Sequence, residues 1–307
     1  MSQRIAVIGA GTIGASWAAL FLAHGHEVAA HDPSPNGEAF LRAFVGKAWP
    51  ALEALGLVKD GASADRLSFH ASIAEACKGV SFVQESGPER EDIKTATYAE
   101  IDAACASDVI IASSSSGLLI SRFAIACKHP ERCVIGHPFN PPHLIPLVEV
   151  VGGDKTSAEA ISKAMEFYRG LGKQAIHIKK EVRGHVANRL QAAIWRETIH
   201  LVMEGVVSIE DADAALRYGP GQRWALMGQS AAFHLGGGEG GIAHFLSHIG
   251  PAVQDWMDDL GSPRLTPEVQ KVIIDGVAEQ ANGRTIAELR EWRDRKLIDI
   301  LKVSAAP

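Results

Sequence analysis

Over roughly the first 180 residues, short apolar runs alternate with longer stretches in which apolar positions recur at helical spacing. The short runs predict strands at Arg4–Ile8, Glu27–Ala30, Leu67–Phe69, Phe82–Gln84, Val109–Ala112, Cys133–Gly136, Leu147–Val151 and Gln174–Ile178. The longer stretches predict helices over Thr12–His24, Gly37–Ala54, Glu91–Cys105 and Ser157–Leu171. Strands that alternate with helices favour a mostly parallel sheet covered on both faces, an α/β fold. After Lys180 the strand signal fades. Val186, Leu190, Ala193, Ile194, Ile199, Leu201 and Val202 mark one helix over Val186–Glu204. Further helices are expected at Ile209–Tyr218, Ala243–Leu260, Pro267–Gln280 and Thr285–Val303, with a flexible loop where Gly236–Gly238, Gly240 and Gly241 cluster. The chain is therefore expected to divide near Glu181–Gly184. An α/β domain would occupy residues 1–183 and an all-helical domain residues 184–307.

Composition narrows the classes. Of the 307 residues, 47% are hydrophobic and 21% charged, enough to bury a sizeable core. The net charge of -6 carries no basic block, which argues against a nucleic-acid partner. Arg4 followed by Ile5–Ala23 imitates a signal peptide, but Gly9, Gly11, Thr12, Gly14 and Ser16 interrupt it. No unbroken apolar run reaches the roughly 20 residues of a membrane span, so no membrane partner and a cytoplasmic location are expected. Cys77, Cys105, Cys127 and Cys133 show no metal-ligand spacing and are expected to be free thiols with no metal.

The segment Gly9-Ala10-Gly11-Thr12-Ile13-Gly14 follows an apolar strand and opens an apolar helix. In that context GxGxxG is the dinucleotide fingerprint of a Rossmann-type domain. Gly9 permits the tight turn, Gly11 lets a pyrophosphate approach the backbone, and Gly14 lets helix and strand pack closely. The helix start at Thr12 and Ile13 offers amide N–H groups and a positive dipole end to phosphates. Asp32 ends the second strand, where its carboxylate accepts ribose hydroxyls and repels a 2'-phosphate. That selects NAD over NADP; FAD shares a similar fingerprint.

His137 ends one expected strand, and Glu149 lies inside the apolar run of the next. A buried carboxylate needs a partner, and a neighbouring imidazole suits it. Glu149 would accept a hydrogen bond from His137 Nδ1, fix the tautomer and leave Nε2 free to take a hydroxyl proton. At this point the chain resembles the 3-hydroxyacyl-CoA dehydrogenase superfamily, which carries a His in an H-x-x-N-P context and a Glu twelve residues on; His137 and Glu149 share that spacing. The resemblance implies that Ser116, in the run Ser113–Ser116, and Asn188, in Gly184-His185-Val186-Ala187-Asn188-Arg189, hydrogen-bond the reacting oxygen. In the second segment His185 stands in place of the family's aromatic residue. It also implies cofactor contacts from Glu89, Lys94 and Ser114.

Gly219–Gly228 and Arg284–Asp294 are similar to the branch that holds the L-carnitine dehydrogenases and the lambda-crystallin or L-gulonate 3-dehydrogenases. The branch implies a small free 3-hydroxy acid, carnitine first and gulonate second. A 3-hydroxyacyl-CoA substrate and a crystallin-like structural role stay open. A quaternary ammonium needs aromatic faces and a carboxylate an Arg fork. Phe139, Trp224, Phe233 and Trp195 are candidates for the first, Arg223 and Arg196 for the second. The resemblance further implies a homodimer.

Overall fold

The computed structural model describes residues 2–304. It contains two compact units that divide between Asn188 and Arg189.

The first unit is built on eight strands: β1 (Arg4–Ile8), β2 (Glu27–His31), β3 (Leu67–Phe69), β4 (Phe82–Glu85), β5 (Ile110–Ser113), β6 (Cys133–Pro138), β7 (Leu147–Gly152) and β8 (Gln174–Ile178). They form one sheet in the order β3-β2-β1-β4-β5-β6-β7-β8. Only β6 and β7 pair antiparallel. Side chains alternate between the two faces. In β1, Ile5 and Val7 join one apolar core with Trp17, Phe21 and Leu41. Ala6 and Ile8 join a second core with Tyr98, Ile101 and Phe123. Both faces are thus dry, which is why the strands read as continuous apolar runs rather than alternating ones.

Helices α1 (Thr12–Ala23), α2 (Gly37–Ala54), α3 (Ile73–Ala76), α4 (Glu91–Ala104), α5 (Ile120–Phe123) and α6 (Ala158–Gly170) cover the sheet. From Gly14 to Ala23 every residue of α1 is buried. A surface that is apolar apart from Ser16 suits a helix enclosed on every side. Strand order reverses between β1 and β4, and in open α/β sheets ligands bind at such a switch point beyond the carboxyl ends of the strands.

The second unit is helical: α7 (Ala187–Met203, whose first two residues cluster with the sheet), α8 (Ile209–Tyr218), α9 (Pro220–Trp224), α10 (Gln229–Gly236), α11 (Gly241–His248), α12 (Gly250–Asp259), α13 (Pro267–Ala281) and α14 (Ile286–Ser304). Two expectations change here. The single helix expected over Ala243–Leu260 is two, because a proline stands in the first turn of α12 and has no N–H to continue the ladder from α11. The glycine cluster is a 3-10 turn over Gly238–Gly240 between two helices rather than a flexible loop. A Cβ on Gly237 would lie 1.8 Å from the Gly241 carbonyl oxygen, so the backbone is packed close at that position. Among the described residues no helix is long and apolar enough to cross a membrane.

Candidate active site

The turn after β1 is built for close approach. Gly9 has φ +93, and a Cβ there would lie 2.7 Å from the Ser86 carbonyl carbon. A Cβ on Gly14 would sit 1.8 Å from the Gly9 oxygen. Both glycines are required by the protein's own packing. Gly11 differs: a Cβ there meets nothing within 4 Å. Its missing side chain keeps open the space in front of the α1 N-terminus. No side chain caps that terminus and no acidic residue lies in its first turn. Its free N–H groups and dipole suit a phosphate. Asp32 Oδ2 accepts from Ala10 N at 2.7 Å and Oδ1 from Ser34 N at 2.8 Å. Each oxygen keeps a lone pair for a ribose hydroxyl. These features fit a dinucleotide whose ribose ends at Asp32.

The carboxyl ends of β4 and β5 carry a buried ionic cluster. Lys94, 1% exposed, holds Glu85 with Nζ 2.9 Å from both carboxylate oxygens and 3.3 Å from the Gly87 carbonyl. Ser113 Oγ donates to Glu85 Oε2 at 2.6 Å. Lys94, expected to touch the cofactor, is turned inward; an ammonium has three N–H groups, and three acceptors surround this one. Glu89 Oε1 accepts from Ser115 Oγ at 2.7 Å and from the amides of Ser116, Gly117 and Leu118 at 3.0, 2.8 and 3.2 Å. Burial pushes this carboxyl up, but these donors and Lys94 outweigh it and hold it below the usual range. The turn that presents Ser116 is thus wrapped around one carboxylate oxygen. Ser114 is a hub: its Oγ accepts from Gln84 Nε2 at 2.8 Å and Trp17 Nε1 at 3.2 Å and pairs with Ser86 Oγ at 2.9 Å. Its hydrogen-bonding capacity is met within the protein.

His137 and Glu149 are directly opposed across the antiparallel β6–β7 pair. Residues so opposed share a face, and His137 Nδ1 lies 2.8 Å from Glu149 Oε2. Glu149 is fully buried. Its second oxygen accepts from the amides of Val186 and Ala187, both at 2.9 Å. Gly184 and His185 are both left-handed, with φ 75 and 50, immediately before those amides. Burial pushes the Glu149 carboxyl up, yet the His137 hydrogen bond and the two amides more than offset it and hold it below the usual carboxylate range. Phe139 meets the His137 ring edge-on at 5.9 Å. The His185 ring lies 5.0 Å from that of His137, and its Nε2 is 2.9 Å from the Ser115 carbonyl oxygen. Asn188 Nδ2 lies 3.4 Å from the Ser116 carbonyl oxygen.

The loop between β6 and β7 is pinned at two points. His143 exchanges hydrogen bonds with Ser16 of α1: Nδ1 to Oγ is 2.7 Å and N to Oγ 2.8 Å. Lys173 donates to the carbonyls of Pro142 and Ile145. Burial pulls that ammonium down to about 7.

The first unit therefore gathers the glycine turn, Asp32, Glu89, Ser116, His137, Glu149 and Asn188. Arg223 and Trp224 lie in α9 of the second unit, where the Trp224 indole N–H donates to Gln229. Phe233 of the same unit stacks on Phe245 at 4.4 Å. Glu85, Ser115 and His185 also make contacts at the site that little in the sequence singles out. Glu85 signals itself only as a polar end to an apolar strand, and His185 only as a departure from an aromatic position.

A family model described as 3-hydroxyacyl-CoA dehydrogenase, NAD binding domain, matches residues 4–182. A second, described as 3-hydroxyacyl-CoA dehydrogenase, C-terminal domain, matches residues 184–288. The chain is 49% identical over 299 residues to L-carnitine dehydrogenase of Pseudomonas aeruginosa, covering 97% of this chain and 93% of that one. It is 46% identical over 302 residues to L-carnitine dehydrogenase of Streptomyces coelicolor, covering 98% and 95%. Among solved structures it is similar to a 5-formyl-3-hydroxy-2-methylpyridine 4-carboxylic acid 5-dehydrogenase, an NAD+ dependent dismutase, with TM-score 0.86, 30% identity and coverage of 100% and 99%. Matched in succession by models of both its NAD-binding and its C-terminal domain, the chain belongs to the 3-hydroxyacyl-CoA dehydrogenase family.

Proposed function

We propose that this chain oxidises the 3-hydroxyl of L-carnitine with NAD+, giving 3-dehydrocarnitine. The observation that carries the reading is likeness at 49% identity over 97% of the chain to an L-carnitine dehydrogenase. His137 is the base. With Nδ1–H donated to Glu149, its Nε2 lone pair takes the hydroxyl proton, and Glu149 steadies the imidazolium that forms. The Ser116 hydroxyl and the Asn188 amide donate to the substrate oxygen as negative charge builds there. Bound NAD+ supplies the electron acceptor, taking the carbinol hydrogen as hydride, so that alcohol and NAD+ become ketone, NADH and one proton. The amides at Gly11, Thr12 and Ile13 hold the pyrophosphate, with Gly9 and Gly14 shaping the turn. Asp32 holds the adenosine ribose, and Glu89 offers the cofactor its second oxygen. Lys94 and Ser114 support that surface from beneath. Phe139 offers an aromatic face to the substrate's cationic end, and Arg223 and Trp224 are the substrate-binding candidates of the helical unit.

The test is NAD+ reduction with L-carnitine, L-gulonate, 3-hydroxybutyrate and 3-hydroxybutyryl-CoA in parallel. L-carnitine should give the highest kcat/KM. Faster turnover of gulonate or of the CoA ester would replace it as substrate, and NADH binding without any turnover would support a structural role.

The chain is also proposed to work in the cytoplasm as a homodimer through its helical unit. Trp195, Tyr218, Leu246, Trp256 and Ile274 of that unit are large, apolar and exposed. Light scattering at micromolar concentration should return twice the mass of one chain; a monomer's mass would refute the dimer.

A further inference from the structure

Ser115 and Ser116 share one peptide unit, and both of its polar ends are held. The Ser116 N–H donates to Glu89 Oε1 at 3.0 Å. On the opposite edge, the Ser115 carbonyl oxygen faces His185 Nε2 at 2.9 Å. A carbonyl only accepts, so Nε2 carries the hydrogen and donates. Ser115 and His185 are each 1% exposed, so water does not stand in for this bond. The reaction as described makes no use of His185.

A trans peptide unit is flat, with its C=O and N–H on opposite edges. A hold on one edge leaves the plane free to turn about the line between its two Cα atoms. A hold on both edges stops that rotation and fixes the direction in which Ser116 sends its Cβ. Glu89 cannot do this alone. Its Oε1 also takes the amides of Gly117 and Leu118 at 2.8 and 3.2 Å, so three backbone N–H groups converge on one atom, a single pivot. His185 supplies the second hold and is itself fixed. Its amide donates to the Val182 carbonyl at 3.1 Å, and its ring lies 5.0 Å from that of His137. Burial holds the imidazole below the usual histidine range, so it stays neutral and does not oppose the charge that forms on His137. A phenyl ring would fill the same volume but leave the buried Ser115 carbonyl without its donor. Ser116 is exposed, free to meet a substrate.

We infer that His185 is a positioning residue: through its Nε2–H bond to the Ser115 carbonyl it fixes the peptide plane from which Ser116 presents its hydroxyl to the reacting oxygen. The inference rests on Ser116 as a donor to that oxygen and not on carnitine as the substrate. A hydroxyl that swings away no longer stabilises the negative charge as it builds, so the loss falls on kcat. The glycine turn that receives NAD+ lies outside this hold.

The experiment measures kcat and NADH affinity for His185→Phe, His185→Gln, Ser116→Ala and the pair His185→Phe with Ser116→Ala. The substrate is whichever of L-carnitine, L-gulonate and 3-hydroxybutyrate the parent turns over fastest. His185→Phe should lower kcat by about tenfold to a hundredfold, a part of the roughly 10²- to 10³-fold that losing the whole Ser116 donor in Ser116→Ala should cost. NADH affinity should stay within a few-fold of the parent. His185→Gln, whose amide N–H reaches the place of Nε2, should recover most of the lost kcat. With Ser116 already Ala, adding His185→Phe should change kcat by less than about threefold, because the group it positions is gone. If His185→Phe does not fold, His185→Met takes its place, matching Gln in length without a donor. A His185 that only fills space would lower kcat by the same factor with and without Ser116, and Gln would do no better than Phe; either result, or a parental kcat in His185→Phe, overturns the inference. A parental kcat in Ser116→Ala would remove Ser116 from the reaction and the inference with it. Turnover of gulonate but not carnitine, with the coupling between residues 116 and 185 intact, would sink the carnitine reading alone.

Discussion

Glu149 keeps its charge with no exposed surface because three donors converge on it: His137 Nδ1 and the amides of Val186 and Ala187. A neutral amide at this position would present an N–H to His137 and favour the tautomer with hydrogen on Nε2, which has no lone pair for a hydroxyl proton. Glu149→Gln should therefore lower kcat by about 10²- to 10⁴-fold. The same donors set a pH dependence. The folded-state pKa of Glu149 lies below its ordinary value, so on the acid side the unfolded chain binds more protons. The carboxylate's contribution to stability is complete above the unfolded value of about 4.3 and is lost as pH falls through the lower folded value. Melting curves from neutral pH to about pH 3 should show the parent losing more stability than Glu149→Gln over that acid window. A difference between the two that does not change with pH would contradict it.

At the scale of elements, the helix–strand alternation is legible in the sequence because both sheet faces are buried, and a doubly covered sheet writes itself as apolar runs. Boundaries slip where a polar side chain is met by a partner distant in the chain. The apolar run of β4 ends at Gln84, yet the strand continues through Glu85, whose charge is met by Lys94 and whose backbone pairs with Ile8 and Ser113. A lysine nine residues away, outside helical spacing, gives no warning of that pair. His137 and Glu149 are legible for the opposite reason: a short return between adjacent antiparallel strands fixes their register, and one of them interrupts an apolar run. The Gly184–His185 turn is not legible, because its left-handed residues are set by where the Val186 and Ala187 amides must point. In the helical unit, α9 and α10 escape notice because they are short and glycines bound them.

At the scale of the whole molecule, the sheet unit carries the nucleotide turn and the His–Glu pair, and the helical unit carries the remaining substrate candidates and most of the exposed large apolar residues. Family membership accounts for both units, since its two models follow one another along the chain. The reaction as proposed depends on one imidazole, His137, hydrogen-bonded to one buried acid, Glu149. The decisive measurement is NADH formation from L-carnitine and NAD+ by the parent and by His137→Ala, with NADH affinity measured on both. The parent should turn over, and the variant's kcat should fall by about 10²- to 10⁴-fold with NADH bound within a few-fold of the parent. A variant that binds NADH and keeps the parental kcat would remove His137 from the reaction.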